Sequence, residues 1–338
     1  MTTQREQLIQ SWLEQVLDSS EFTIQFLAGD ASFRRYARIA FQNQTYMLMD
    51  APPDKENCAP FVKIDQFFAQ NGVCVPKIVY QDLQNGFLLL EDFGDVLLSH
   101  LLNDQTVDHY YHQSFKQLIQ LQSIDGADYF PTYSYEKLIS EMQLFTDWML
   151  PSLNIQLSND EQALIKRTFA ILANAALAQP QVIVHRDFHS RNLMQIANQT
   201  ELGIIDFQDA VIGADTYDLI SITRDAYVQW KPQQVLKWFE DFYQLLPQSA
   251  KENRNFSQFK QDADFMAIQR HLKILGIFVR LYERDGKANY LADLPRVMWY
   301  LRQESQDYAE LKPFMQFINK TVLPLFEQKY GQYEANLV

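Results

Sequence analysis

Residues 184–194 read VHRDFHSRNLM. Six polar or charged side chains, His185, Arg186, Asp187, His189, Arg191 and Asn192, fall within eight positions, directly after the apolar run Val182-Ile183-Val184. Such a switch is expected where a buried strand opens into a loop. Asn192 lies five residues after Asp187, and Asp206 follows fourteen later at the end of LGIIDF. LMQIA, the turn NQTE and LGIIDF read as a hairpin, which folds Asp206 back toward Asn192. An amide oxygen and a carboxylate so placed suit Mg²⁺, a hard cation that takes oxygen ligands and keeps waters and substrate phosphates. Asp187, near the metal without needing to bind it, is then free to orient a hydroxyl and take its proton. Phosphoryl transfer divides its labour in this way.

The elements that must hold these residues change texture along the chain. An N-terminal helix with Leu8, Trp12, Leu13, Val16 and Leu17 on one stripe precedes three strands, FTIQFLA, RRYARIAF and TYMLMDAP. CAPFVKIDQFFAQNG reads as a helix with Phe61, Ile64, Phe67 and Phe68 on one face and Gly72 as its stop. VPKIVYQDLQNGFLLLEDFG reads as a hairpin turning near Asn85-Gly86. After Gly94 the pattern is helical, DVLLSHLL included, and beyond about residue 215 all of it is helix. Within 265–284, Ile268, Leu272, Leu275, Val279 and Tyr282 make an apolar stripe. Gln269, Lys273 and Arg280 form a separate face, expected to be a solvated helix surface and otherwise suited to a neutral or anionic acceptor. The expectation is an α+β chain of two lobes: 1–93, small and built on an antiparallel sheet, and 94–338, mainly helical.

The 338 residues allow two domains or lobes at roughly 100–200 residues each. A net charge of −13 repels phosphate backbones, so nucleic acid is not the expected main partner, while a small anion such as a nucleotide remains open because local charge decides that. Cys58 and Cys74 read as reduced thiols, and no CxxC pair suggests zinc. The N-terminus has no continuous apolar core of a signal peptide, and no stretch approaches about 18 uninterrupted apolar residues. The default is a soluble cytoplasmic protein, with no membrane association and no obligate protein partner evident.

HRDFHSRN resembles the catalytic loop of the protein-kinase-like superfamily, and IDFQ resembles its DFG segment. The resemblance implies a bilobal kinase fold with ATP in the interlobe cleft, Asp187 as base, and Asn192 and Asp206 on Mg²⁺. His189 stands where protein kinases have a lysine facing the γ-phosphate. A histidine there is typical of the aminoglycoside phosphotransferase-like small-molecule kinases. LAGDASFRRY sits where that family covers the phosphates, which points to Gly29, Ala31, Ser32, Phe33 and Arg34; taken alone it is an ordinary hairpin turn. GFLLLEDFG resembles the hinge, with the backbone around Glu91 to Phe93 on adenine. Asp218 matches a position that more often braces the catalytic loop than contacts substrate.

One departure stands out. The third strand normally carries a lysine on the α and β phosphates, and here Met49 falls at that place. Arg34, Arg35 and Lys63 are candidate substitutes. A dead, nucleotide-binding pseudokinase is the reading this loss favours; retention of Asp187, Asn192 and Asp206 together opposes it.

The acceptor is expected to be small, because DFQDAVIGADTYDLISI leaves little room for a peptide platform and contains no APE. GDASFRRY, MDAPP, LLLEDFGD, SEMQLFTDWML, HRDFHSRNLM, IDFQDAVIG and QRHLKILGIFVRL together look like the bacterial anomeric sugar kinases, from about residue 20 to 305. That resemblance implies phosphorylation of N-acetylmuramate and N-acetylglucosamine at C1, in cell-wall sugar recycling. An aminoglycoside, choline or homoserine acceptor is the alternative within the fold. Glu141, Asp147 and Trp148 ahead of the catalytic loop, and Arg224 and Asp225 behind it, are the candidate sugar contacts.

Overall fold

The strands expected in the first ninety residues form one five-stranded antiparallel sheet in the order β1-β2-β3-β5-β4. This computed structural model describes residues 3–27 and 34–333. Gly29, Ala31, Ser32 and Phe33 lie outside the described residues. In chain order the first elements are α1 (Gln4–Leu17), β1 (Phe22–Phe26), β2 (Arg35–Phe41), β3 (Gln44–Asp50), α2 (Ala59–Gln70), β4 (Ile78–Asp82) and β5 (Phe87–Glu91). Next come α3 (Val107–Gln122), α4 (Tyr135–Leu144), α5 (Leu150–Ser152), α6 (Asn159–Ala178) and β6 (Gln181–Val184). Then follow β7 (Leu193–Gln195), β8 (Leu202–Ile204), β9 (Val211–Ala214), α7 (Tyr217–Thr223), α8 (Pro232–Leu245), α9 (Gln248–Lys251) and α10 (Phe256–Asp285). The last are α11 (Leu294–Glu304), α12 (Lys312–Phe317) and α13 (Leu323–Tyr330).

Backbone contacts divide the chain into two units, one running to Leu101 and taking in Arg191–Asp209, the other Leu102–Ser190 with the chain from Ala210 onward. In the first unit, alternation along the strands buries Ala37, Ile39, Leu48, Phe87 and Leu89 against Ile9, Trp12 and Leu13 of α1. The β4–β5 turn needs its glycine: Gly86 has φ +71°, and a Cβ there would stand 1.9 Å from the Ala51 carbonyl oxygen. The β7–β8 hairpin belongs to this unit for packing reasons. Phe93 clusters with Met194 and Ile196, and the Ile204 amide donates to the Cys74 carbonyl at 2.8 Å. DVLLSHLL, expected as a helix, has only the 3₁₀ turn Leu98–His100. The hairpin holds its start extended, with Leu97 bridging to Met194 and the Gln195 amide bonded to the Val96 carbonyl.

Helix α2 turns Phe61 and Phe68 onto Phe207, with ring centroids 4.9 and 5.8 Å apart. Between them on the same helix, Asp65 is buried, and its Oδ2 makes no hydrogen bond among the described residues. Desolvation pushes its carboxyl from an ordinary 3.8 to about 7. Asp65→Asn is expected to stabilise the chain, and more so at about pH 8 than at about pH 5. Folded, the carboxyl keeps its proton to about 7; unfolded, it loses it near 3.8. Folding takes up a proton between those values, so the wild-type chain loses stability as pH rises through that window. Denaturant titrations at both pH values check this, and an equal gap between variant and wild type at the two would rule it out.

The second unit is organised on α10, a 30-residue helix capped by Asn255 and stopped by Gly286 in the left-handed region. It packs on α4, α6, α7 and α11. Gly276 admits α4 closely, since a Cβ there would lie 2.2 Å from the Leu144 carbonyl carbon. After Leu144 the helix loosens into a π turn, Phe145–Met149. Of the expected stripe, Ile268, Leu272, Leu275 and Val279 are buried, whereas Tyr282 is 41% exposed. The face expected to be solvated is not: Gln269 and Lys273 are buried. Helices pack around α10 on nearly every side, so its charges are matched from other elements instead of by water. A further strand, β9, which the apolar pattern hid, pairs antiparallel with β6 from Gln181↔Ala214 to Val184↔Val211.

Candidate active site

β6 ends with Ile183 and Val184 fully buried, so the polar loop after it must be satisfied inside the second unit. Its anchor is Asp218, buried in the first turn of α7. The amides of His185 and Arg186 donate to the two Asp218 carboxylate oxygens at 2.6 and 3.0 Å. This is the brace expected of that position. Desolvation pushes the Asp218 carboxyl up to about 7, against the pull of those two amides and of Arg270. His185 is buried, and its Nδ1 accepts from the Asp187 amide at 3.2 Å.

Arg186 takes φ +77°, a left-handed conformation that a long side chain adopts only when its surroundings impose it. Asp218 holds its amide, and Glu141 of α4 accepts from its guanidinium at 2.5 Å. Glu141 is the hub of a buried network. Its other oxygen accepts from the Tyr133 hydroxyl and lies 3.2 Å from Lys273 Nζ. Lys273 also donates to the Tyr217 hydroxyl at 3.3 Å, and Arg270 lies over the Tyr217 ring at 5.4 Å. Burial works against the charge on Glu141, but Lys273 and Arg186 hold its carboxyl below its usual range.

Asp187 stands in front of this network. Burial would raise its carboxyl, yet Lys273, His189, Arg270 and His185 together hold it below its ordinary range. It is therefore ionised at neutral pH, as a proton acceptor must be. His189, two residues on, meets the Tyr227 ring edge-on at 5.4 Å. The loop ends on a second acid: Asp225, buried, accepts from the Ser190 amide and hydroxyl at 3.0 and 2.5 Å and from the Tyr227 amide at 2.9 Å.

Beyond Ser190 the chain passes into the first unit. The β7–β8 register pairs Leu193 with Ile204, and the Ile205 amide donates to the Asn192 carbonyl at 3.1 Å. Asn192 thus stands across from Ile205, one residue before Asp206. The Asn192 amide nitrogen lies 3.4 Å from Asp206 Oδ2, and Gln208 donates to Asp206 Oδ1 at 2.9 Å. Asp206 has φ +64° and is exposed. Between them the two side chains carry an amide oxygen and a carboxylate, ligand types that a hard cation takes, although here the amide nitrogen faces Asp206. Among the described residues no group of three or more His, Cys, Asp or Glu side chains gathers to hold a metal. A cation on this pair would complete its shell with water and phosphate oxygens, as Mg²⁺ does.

The other expected site residues fall as follows. Glu91 is exposed at the end of β5, with its amide on the Lys77 carbonyl at 2.8 Å, and Phe93 is packed against the hairpin. Arg34 is ion-paired with Glu56. Three residues expected on a sugar have partners within the protein: Glu141 and Asp225 hold the loop after β6, and Arg224 is buried between Asp264 at 2.7 Å and Glu304 at 3.3 Å. Asp147 is exposed beside Thr146, and Trp148 packs half-buried on the helical core. The sequence reading missed Tyr133, which lies eight residues before its Glu141 partner in a stretch without periodicity.

Residues 23–252 match the APH phosphotransferase enzyme family. The chain is 39% identical to the N-acetylmuramate/N-acetylglucosamine kinase of Pseudomonas putida over 82% of its length and 81% of that protein. It is 36% identical to the protein of that name in Neisseria meningitidis serogroup B, over 92% of its length and 94% of that protein. Among solved structures it superposes on an ethanolamine kinase of Plasmodium vivax with a TM-score of 0.61 at 12% identity, covering 89% of this chain and 87% of the other. It superposes on the ADP-bound aminoglycoside phosphotransferase APH(2'')-Ib with a TM-score of 0.56 at 16% identity, covering 88% and 98%. Those two likenesses establish a kinase-like fold, and the family match establishes the lineage: the chain belongs to the phosphotransferase enzyme family.

Proposed function

We propose that this phosphotransferase moves the γ-phosphoryl group of ATP to the anomeric C1 hydroxyl of N-acetylmuramate or N-acetylglucosamine, in cell-wall sugar recycling. The observation that carries the acceptor is likeness at 36–40% identity to three proteins named N-acetylmuramate/N-acetylglucosamine kinase, over four-fifths or more of the chain. The chemistry rests on Asp187, ionised and held in place from behind by Asp218, Glu141 and Asp225.

In this reading the sugar oxygen attacks the γ-phosphorus, the bond to the β–γ bridging oxygen breaks, and Asp187 takes the hydroxyl proton. His189 stabilises charge on the group in transit. Asn192 and Asp206 would hold Mg²⁺, which when bound neutralises charge on the phosphates. We assign adenine to the backbone at Glu91 to Phe93, the phosphates to the loop Gly29 to Phe33, and the sugar to the side of α4 that bears Asp147 and Trp148. Residues 1–93 serve as the nucleotide lobe and 94–338 as the catalytic and acceptor lobe. No described helix is long and apolar enough to cross a membrane, and we place the reaction in the cytoplasm.

The test is ³¹P NMR of the protein with ATP, Mg²⁺ and each sugar in turn. The expected product is a sugar phosphate whose phosphorus couples to the anomeric proton. ADP without sugar phosphate, or no change with either sugar, overturns the reading.

A further inference from the structure

The loss of the phosphate-gripping lysine has a visible answer in the first unit. Met49, at the lysine's place on β3, is fully buried and offers no charge. In kinases the helix after the third strand supplies that lysine's acidic partner. Here α2 supplies Asp65, buried and, among the described residues, without a cation beside it. The usual pair is therefore missing on both sides.

A different pair lies close by. Arg34, directly ahead of β2, is ion-paired with Glu56, directly ahead of α2, and hydrogen-bonds the Tyr36 hydroxyl. Its guanidinium lies over the Phe61 ring at 5.7 Å. Phe61 packs on Phe207 at 4.9 Å, and Phe207 is the residue after Asp206. Tyr36 feels the charge of Asp206 as well as that of Arg34. Arg34 thus shares an aromatic floor with the carboxylate assigned to the metal. The rival cations are placed otherwise. Both Nε and Nη2 of Arg35 are spent on the buried Asp50, which Arg5 also grips, and Lys63 is exposed on α2.

We propose that Arg34, oriented by Glu56 and Tyr36, forms a polyphosphate subsite for a nucleoside di- or triphosphate, taking over the work of the missing strand lysine. Guanidinium suits the task, because it stays charged and its planar fork matches phosphate geometry better than a point charge does. The inference rests on the nucleotide reading above, and it specifies which cation meets the phosphates. It also accounts for a methionine on β3 in a working kinase.

Calorimetry on the full chain with ADP–Mg²⁺ and with adenosine separates the possibilities. Arg34→Ala is expected to weaken ADP binding roughly 10- to 100-fold, the range for losing a charge-assisted hydrogen-bonded contact, and to leave adenosine binding unchanged. Arg34→Lys, which keeps the charge and loses the fork, is expected to fall between wild type and alanine. It also keeps the test open should Arg34→Ala fold poorly. Lys63→Ala is expected to bind as wild type. Unchanged ADP affinity in Arg34→Ala, or an equal loss for ADP and adenosine, overturns the subsite. A wild-type chain that binds adenosine but not ADP also overturns it, and one that binds neither sinks the nucleotide reading itself.

Discussion

Asp187→Asn is expected to lower turnover at least about 10²-fold, the scale of removing a general base, while nucleotide affinity stays close to wild type. The amide is nearly isosteric with the carboxylate but cannot take a proton. The loop itself should stay in place, because its bonds run through backbone amides and neighbouring residues: His185 and Arg186 to Asp218, Ser190 to Asp225, the Arg186 side chain to Glu141. The variant also removes a buried negative charge that faces Lys273 and Arg270. Stability is therefore the control, read by denaturant titration alongside steady-state kinetics and nucleotide calorimetry. Full turnover in a folded Asp187→Asn would show that the proton goes elsewhere.

Asp218→Ala is expected to act on both stability and turnover. It leaves the His185 and Arg186 amides buried without their acceptors, at a residue whose φ is already +77°. An orphaned buried donor costs about 1–3 kcal/mol, so the pair should cost about 2–6 kcal/mol of folding stability. Turnover should fall even at temperatures where the variant is fully folded, since the peptide that positions Asp187 is no longer fixed from behind. Asp218→Asn keeps one acceptor oxygen and should fall between the two. Urea unfolding with kinetics at low temperature distinguishes these effects. A variant that loses stability but keeps wild-type turnover would make Asp218 a packing residue and nothing more.

The parts of the site that can be read from sequence are those built locally. A strand, a polar loop and a hairpin occupy residues 181–206, and their order alone places Asp187, Asn192 and Asp206. The phenylalanines of α2 likewise announce their face by spacing. What spacing cannot show is how a buried charge is matched across the fold. Lys273 on α10 meets Glu141 on α4, and Arg224 meets Asp264 and Glu304, partners tens of residues away. Helical periodicity marks such positions as polar and hence solvated, so the face with Gln269 and Lys273 is misread as surface. Glu141, Arg224 and Asp225 are legible as polar residues, but their protein partners are not. The allegiance of the β7–β8 hairpin is hidden too, because it depends on Phe93 and Cys74, about a hundred residues upstream.

That allegiance bears on how the protein is made. The first unit is discontinuous: between Leu101 and Arg191 lie about ninety residues that belong to the other unit. Chains emerge at about 5–20 residues per second, so roughly 5 to 20 seconds separate synthesis of Leu101 from synthesis of the segment that covers Phe93 and Phe68. During that interval the nascent sheet has its α1 face closed and the α2 aromatics without Phe207. In that interval the α2 aromatics are a surface that a holding chaperone can cover.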